Sequence, residues 1–94
     1  SNEEMYKRSL DELFRVFHNI KSASGYLKID QMQKLSAFVE DALEEVRSKH
    51  ESINEETVSW LLNISDMFAQ WNDDLKLDSS LSHIKYSLLK LPDL

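Results

Sequence analysis

The sequence predicts an all-α protein, an antiparallel up-down-up-down bundle of four helices. Apolar residues recur at alternating spacings of three and four along most of the chain, which is the period of helices with one buried face. The chain contains one glycine and one proline, so few positions interrupt a helix. Candidate capping residues separate four periodic segments by only a few positions, and such short connections join antiparallel helices.

The first two helices are predicted over residues 3–27 and 31–49. Asp30 is expected to be the N-cap of the second helix, because Gln33 three residues later completes a capping-box pattern. The predicted core positions of these helices are Leu10, Leu13, Phe17, Ile20 and Leu27, followed by Met32, Leu35, Val39, Ala42 and Val46.

The third helix is predicted over residues 55–74 after an N-cap at Asn54. The fourth is predicted over residues 79–91 after an N-cap at Asp78, and Pro92 ends it. The predicted core positions are Val58, Leu61, Ile64, Phe68, Trp71 and Leu75 in the third helix, and Leu81, Ile84, Leu88 and Leu91 in the fourth.

The length and composition indicate a single domain over residues 1–94, with room for one hydrophobic core. The absence of cysteine excludes disulfides and thiolate metal sites and favours a reducing, cytoplasmic setting. No apolar run approaches the ~20 residues that span a bilayer, and no signal peptide is visible. A net charge of −6, with 11 basic residues dispersed among 17 acidic ones, argues against binding to nucleic acid or to anionic membranes.

His18 is the main candidate functional residue. At about 100° per residue, it lies about a quarter turn from the centre of the apolar stripe at Phe17, in line with Ser22 and Gly25. The imidazole therefore borders the core without entering it. Gly25 is the only glycine, and within a helix it costs roughly 1 kcal/mol relative to alanine, so its placement needs another reason. Lys21 adds a cation one turn beyond the histidine.

The stretch HNIKSASG resembles the motif of the histidine phosphotransfer (HPt) domains of bacterial and fungal phosphorelays. That motif is a histidine, any residue, an aliphatic residue, lysine, a small residue, and then a run of Ala, Ser and Gly. The resemblance covers roughly residues 10–75: LFRVF, directly before His18, resembles the start of the family's histidine helix, and LSAFVEDALEEVR resembles the helix that follows it. Ser22 and Lys28 stand where glycines are common, and Ala37 stands where chemotaxis kinases often carry another histidine. The matching residues are His18, Ile20, Lys21, Ser22, Ala23, Ser24 and Gly25.

The resemblance implies a phosphocarrier, not an enzyme. His18 would accept a phosphoryl group and pass it to or from the aspartate of a response-regulator receiver domain. Glu40 matches a glutamate that contacts the phosphoacceptor histidine in chemotaxis kinases. It is therefore expected to accept a hydrogen bond from Nδ1–H of His18, which keeps the tautomer with a free lone pair on Nε2. Lys21 is expected to offset the charge of the phosphoryl oxygens. No cofactor is expected on this chain, and Mg²⁺ is expected on the partner protein.

A docking surface for the receiver domain is expected beside His18. Ser22 and Gly25 would leave a shallow lane along the exposed side of the first helix, with Phe14 as an aromatic contact at its edge. The basic residues on this helix are either scattered charges that keep the protein soluble or a weak patch that steers the chain toward an acidic receiver pocket. They are Arg15, Lys21 and Lys28.

Two other functions remain open. The chain could be the phosphoacceptor module of a chemotaxis-type kinase, phosphorylated by the ATP-binding catalytic domain of that kinase, or a non-catalytic helical interaction bundle. His50 and His83 lack a comparable setting, and Trp60 and Trp71 are expected to be packing residues.

We expect the chain to be a piece of a longer signalling protein, because it begins with Ser-Asn and not with methionine. Many HPt domains have a helix before the histidine helix, and only 17 residues precede His18. Either the fourth helix completes the bundle or a preceding segment has been removed.

Overall fold

The computed structural model describes residues 2–49 and 53–92, which contain three α-helices and no strand. These are α1 (Asn2–Tyr26), α2 (Asp30–Lys49) and α3 (Glu55–Lys76). The all-α prediction is confirmed. The described residues form two compact units, one with α1 and α2 and the other with α3 and the segment after it. The prediction of a single domain stays a prediction. Within the described parts of the chain, no helix is both long and apolar enough to cross a bilayer.

The helices α1 and α2 form an antiparallel hairpin with a seven-residue register. Each seven-residue step forward along α1 is matched by a seven-residue step back along α2, and seven residues make about two helical turns. The side chains at these positions therefore form one stripe along the boundary of the two helices. Asp11 contacts Arg47 and His18 contacts Glu40 in this register, and the side chain of Gln33 lies beside Gly25.

A left-handed residue ends α1. Lys28 has a φ of 60°, and its N–H donates to the carbonyl of Gly25 at 3.2 Å. The N–H of Ile29 donates to the carbonyl of Ser24 at 2.8 Å, which completes a Schellman motif. The left-handed conformation explains why a glycine suits the position of Lys28. This chain keeps the turn with a lysine in its place.

The starts of α2 and α3 test two predicted caps. The N–H of Gln33 donates to the carbonyl of Ile29 at 3.0 Å, so Ile29 lies at the N-cap position and Asp30 in the first turn of α2. The predicted cap role of Asp30 is therefore wrong by one position, although a carboxylate in the first turn still suits the helix dipole. The predicted cap at Asn54 is confirmed, because its side chain accepts from the N–H of Thr57 at 2.8 Å.

The predicted fourth helix is wrong. Asp78, with a φ of 54°, ends α3 by the same Schellman motif that ends α1, so it does not cap a new helix. Residues 79–85 are not helical, and a single 3-10 turn follows at Tyr86–Leu89. The residues that the structure describes contain three α-helices where four were predicted, and no helix spans residues 79–91.

Hydrogen bonds from α3 explain why this segment is not helical. The indole Nε1 of Trp71 donates to the carbonyl of Ser82 at 2.8 Å. The carboxylate of Asp74 accepts from both the N–H and the hydroxyl of Ser82 at 2.8 Å. Both backbone groups of Ser82 are thus engaged outside any helical ladder. The indole Nε1 of Trp60 likewise donates to the carbonyl of Leu88 at 2.9 Å.

The buried face of α3 agrees with the predicted stripe at Ile64 and Trp71. At the other predicted positions the buried residue is the one just before, and Val58 and Leu75 are exposed. Asp74 is buried because its carboxylate is hydrogen-bonded, and a ranking of side chains by hydrophobicity does not anticipate this. The buried residues of α3 are Thr57, Trp60, Ile64, Met67, Trp71 and Asp74.

Most of the other predicted core positions are confirmed. Leu27 is wrong, because it lies in the turn after α1 and is 63% exposed. Leu91 is exposed as well, whereas Leu88 is buried. The prediction missed Leu43, which is 1% exposed. The confirmed buried residues of α1 and α2 are Leu10, Phe17, Met32, Leu35, Val39, Ala42 and Val46. Half-buried predicted positions are Leu13, Ile20, Leu61, Phe68, Leu81 and Ile84.

Candidate functional site

The structure brings His18, Lys21 and Glu40 together between α1 and α2. The imidazole Nδ1 of His18 lies 3.2 Å from Oε1 of Glu40, and the ammonium of Lys21 lies 2.8 Å from Oε2. The His18 side chain is 51% exposed, whereas that of Glu40 is 13% exposed. A largely buried carboxylate thus contacts an imidazole that solvent and other proteins can reach.

Glu40 is a hydrogen-bond acceptor in this cluster. The hydrogen bond from Lys21 lowers the pKa of Glu40, burial opposes this by raising it, and His18 lowers it further. The net pKa is below the ordinary value, so the carboxylate is ionised at neutral pH and has no proton to donate. In the neutral ring, Nδ1 therefore carries the hydrogen toward Glu40. Nε2 then has the free lone pair.

A second chain of contacts reaches His18 through Phe14. The ring of Phe14 lies nearly parallel to the imidazole, at 16° with the centroids 6.4 Å apart. The guanidinium carbon of Arg47 lies 4.4 Å from the centroid of the Phe14 ring. Nε of Arg47 contacts Oδ1 of Asp11 at 3.1 Å, and Nη1 contacts Oε2 of Glu44 at 3.3 Å. The predicted docking aromatic is thus held by α2.

The predicted docking lane is open at Ser22 and covered at Gly25. Ser22 is exposed, whereas Gly25 is half-buried. A Cβ at Gly25 would lie 2.7 Å from Nε2 of Gln33, so the side chain of Gln33 occupies the space that the glycine leaves. Gln33 is exposed and its amide can move. Gly25 therefore permits the approach of this side chain.

The predicted basic patch is weaker than the sequence alone indicates. Arg15 and Lys28 are exposed. Lys21 is only 32% exposed and its charge faces Glu40. The charge of Lys21, one helical turn from His18, is thus already offset by a carboxylate.

Sequence reasoning missed Gln33 and Arg47. Both lie seven residues from Glu40 on α2, so a heptad count from that glutamate would have found them. Long polar side chains at the border of a helix are otherwise assigned to solvent.

The other histidines and both tryptophans were expected to have no part in the site. His83 is exposed in the segment after α3, and His50 lies outside the described residues. Trp60 and Trp71 are buried, which confirms packing roles for both. In residues 2–49 and 53–92, no group of three or more His, Cys, Asp or Glu side chains is placed to hold a metal ion.

Comparison with known proteins identifies the family. The family model described as Hpt domain matches residues 2–80, which include α1, α2 and α3. No curated protein and no solved structure matches the chain significantly. A match over most of the chain shows the family, and the site geometry lies within the matched residues. The chain belongs to the Hpt domain family.

Proposed function

We propose that the protein is a phosphorelay carrier that accepts a phosphoryl group on His18 and passes it to or from the aspartate of a response-regulator receiver domain. Hpt domains transfer phosphoryl groups through a histidine and interact with receiver domains and kinases. The observation that supports this role most strongly is the exposed imidazole whose Nδ1 contacts the ionised Glu40 at 3.2 Å.

Phosphoryl transfer to His18 requires from this chain mainly a nucleophilic nitrogen and a nearby negative charge. The lone pair of Nε2 in His18 attacks the phosphorus, and the Nε2–P bond forms as the P–O bond to the donor aspartate breaks. The donor leaves as a carboxylate. The proton stays on Nδ1, so the ring gains a positive charge that Glu40 offsets. Positioning and charge stabilisation dominate phosphoryl transfer, and the receiver domain would supply Mg²⁺.

Lys21 lies where its ammonium can contact either Glu40 or a phosphoryl group on His18. Its ammonium lies 2.8 Å from Glu40 and one turn along α1 from His18. From there it offsets the carboxylate in the resting state and can turn toward the phosphoryl oxygens after transfer. We therefore expect Lys21 to tune the rate of transfer or the lifetime of the phosphohistidine, and not to be indispensable.

The contact between Glu40 and His18 also favours a second candidate, the phosphoacceptor module of a chemotaxis-type kinase. Ala37, where such kinases often carry another histidine, argues for the first. The phosphoryl donor distinguishes the two candidates. A phosphorylated receiver domain should phosphorylate the protein if the first is right, and a purified kinase core with ATP should do so if the second is right. A helical interaction bundle would accept phosphate from neither.

The direct experiment measures acid-labile, base-stable phosphate on the protein after incubation with phosphoramidate or with a phosphorylated receiver domain. We expect His18→Gln to keep its helical content and lose all label. His83→Gln, a matched change at an exposed histidine, should be labelled like the wild type. Label retained on His18→Gln would refute the assignment.

A further inference from the structure

We infer that Arg47 is a positioning residue for His18 and that it acts through Phe14. The inference rests on the proposed role of His18 as phosphoacceptor and goes beyond it, because it assigns a task to the far end of α2. The contacts that carry it run from the guanidinium of Arg47 to the ring of Phe14, and from that ring to the imidazole.

Glu40 alone does not orient the imidazole. The contact of 3.2 Å between Nδ1 of His18 and Oε1 of Glu40 holds one atom of the ring. The ring can still tilt about this hydrogen bond, and half of the side chain faces solvent, which offers no restraint. A second contact, to the plane of the ring, is needed to aim Nε2 in one direction.

Phe14 supplies that second contact. It precedes His18 by one turn of α1, and residues four apart lie on the same side of a helix. Its ring is 16° from parallel to the imidazole, with 6.4 Å between the centroids, which is the range of an offset stack. Phe14 is half-buried and His18 is exposed, so the phenyl ring is the more restrained partner.

Arg47 in turn restrains Phe14. Its guanidinium carbon lies 4.4 Å from the centroid of the phenyl ring, well within the range of a cation–π contact. Asp11 and Glu44 hold two different nitrogens of the guanidinium, so the group is fixed in orientation and its charge is partly offset. A lysine has no planar fork with which to make these contacts together.

The helix α2 therefore restrains the imidazole from two positions one heptad apart. Glu40 contacts the Nδ1 edge directly, and Arg47 restrains the ring plane through Phe14. Both restraints leave Nε2 available to a phosphoryl donor. Two carboxylates offset the charge of Arg47. Arg47 therefore acts on His18 mainly through its contact with the Phe14 ring and less through long-range electrostatics.

The test is a double-mutant cycle of Arg47→Ala and Phe14→Leu, with phosphoramidate as the donor. Phosphoramidate tumbles freely, so the assay needs no docking surface. The readouts are the rate of phosphorylation and, by ³¹P NMR, the proportion of phosphate on Nε2 and on Nδ1. The matched control is Lys49→Ala, which removes a cation from the same helical turn, where it pairs with Glu45 at 3.5 Å.

We expect Arg47→Ala to lower the rate at Nε2 relative to Nδ1 by about two- to fivefold, the size of a cation–π contact at a partly exposed site. Phe14→Leu should lower it at least as much, and the double variant should be no worse than Phe14→Leu alone. Arg47→Lys should recover part of the loss. Additive effects, or an equal loss in Lys49→Ala, would overturn the inference.

An independent readout separates this inference from the proposed function. The ¹H shifts of Hδ2 and Hε1 in unphosphorylated His18 report the ring current of Phe14. They should move in Arg47→Ala toward their values in Phe14→Leu and stay unchanged in Lys49→Ala. Failure of the proposed function would show instead as a wild-type protein that takes no phosphate on His18. Unchanged shifts in Arg47→Ala would refute the role of Arg47 whatever the phosphorylation assay gives.

Discussion

Glu40 is half-buried and Asp74 is buried, and both carboxyl groups have a lowered pKa, yet different kinds of groups contact them. Glu40 contacts the ammonium of Lys21 and the exposed imidazole of His18. Asp74 is 7% exposed and accepts hydrogen bonds from the backbone N–H and the hydroxyl of Ser82, and from the amide of Gln70 at 3.0 Å. The backbone N–H of Ser82 lowers the pKa of Asp74 the most. Burial and a lowered pKa therefore do not by themselves mark a functional carboxylate.

The difference lies in what each carboxylate fixes. Asp74 holds the backbone at Ser82 and so fixes the course of the segment after α3. Glu40 holds a side chain that is 51% exposed and can react. We therefore expect changes at Asp74 to act on stability and changes at Glu40 to act on the chemistry of His18.

The largest expected effect is that of Asp74→Ala on thermal stability. The change leaves the N–H and hydroxyl of Ser82 without their acceptor, and the melting temperature should fall by about 5–10 °C. Labelling of His18 by phosphoramidate should stay at the wild-type level. The control is Asp73→Ala, which removes the same charge from an exposed neighbour. A melting temperature equal to that of Asp73→Ala would mean that the segment is held by other contacts.

Glu40→Gln should have the opposite profile. The amide keeps the shape of the side chain but loses the charge that offsets the phosphorylated imidazolium, so phosphorylation of His18 by phosphoramidate should slow by about three- to tenfold. The melting temperature should change much less than in Asp74→Ala. Asp41→Asn, on an exposed position of α2, is the control. A wild-type rate in Glu40→Gln would show that the partner supplies all the charge compensation.

The two helix ends offer a smaller effect. Lys28 and Asp78 both have a left-handed backbone, which aspartate tolerates better than lysine does. Lys28→Gly should therefore stabilise the protein by about 1 kcal/mol, and Asp78→Gly should stabilise it less. Urea unfolding measures both. An equal or larger gain in Asp78→Gly would contradict this ranking.

The smallest expected effect is a change in acid sensitivity. The folded pKa of Asp74 lies below its ordinary value of 3.8, and that of Glu40 below 4.5. Each group therefore stabilises the fold at pH values above its ordinary pKa, and this contribution is lost as the pH falls through the lowered pKa. Melting temperatures measured from pH 7 down to about pH 2 should fall less steeply in Asp74→Ala and Glu40→Gln than in the wild type. If the melting temperature falls with pH as steeply in both variants as in the wild type, the acid sensitivity does not come from these two carboxyl groups.

The sequence pattern was sufficient for α1, α2 and α3, and the family resemblance was sufficient for the cluster at His18. The periodic apolar pattern predicts α1 to α3 to within about two residues at each end. The resemblance to HPt domains predicts that Glu40 contacts His18, and the structure places the two side chains 3.2 Å apart. The helices depend on a local period that a sequence carries directly, whereas the pairing of His18 with Glu40 rests on the family resemblance.

The sequence was not sufficient where a few long-range hydrogen bonds decide the backbone. The spacing of Leu81, Ile84 and Leu88 fits a helix, but Trp71 and Asp74 engage the backbone of Ser82 in other bonds. Asp78 was misread because aspartate suits both an N-cap and a left-handed turn.

The most direct test of the central claim is the protonation of the His18 ring. Long-range ¹H–¹⁵N correlation spectra show which ring nitrogen carries the hydrogen in the unphosphorylated protein, at a pH where the ring is neutral. If Glu40 sets the tautomer of the nucleophile, the wild type has its hydrogen on Nδ1 with Nε2 bare, and Glu40→Gln shows a mixture of the two tautomers. A wild-type ring with its hydrogen mainly on Nε2 would contradict the account, because the nitrogen assigned to attack would then have no lone pair to offer.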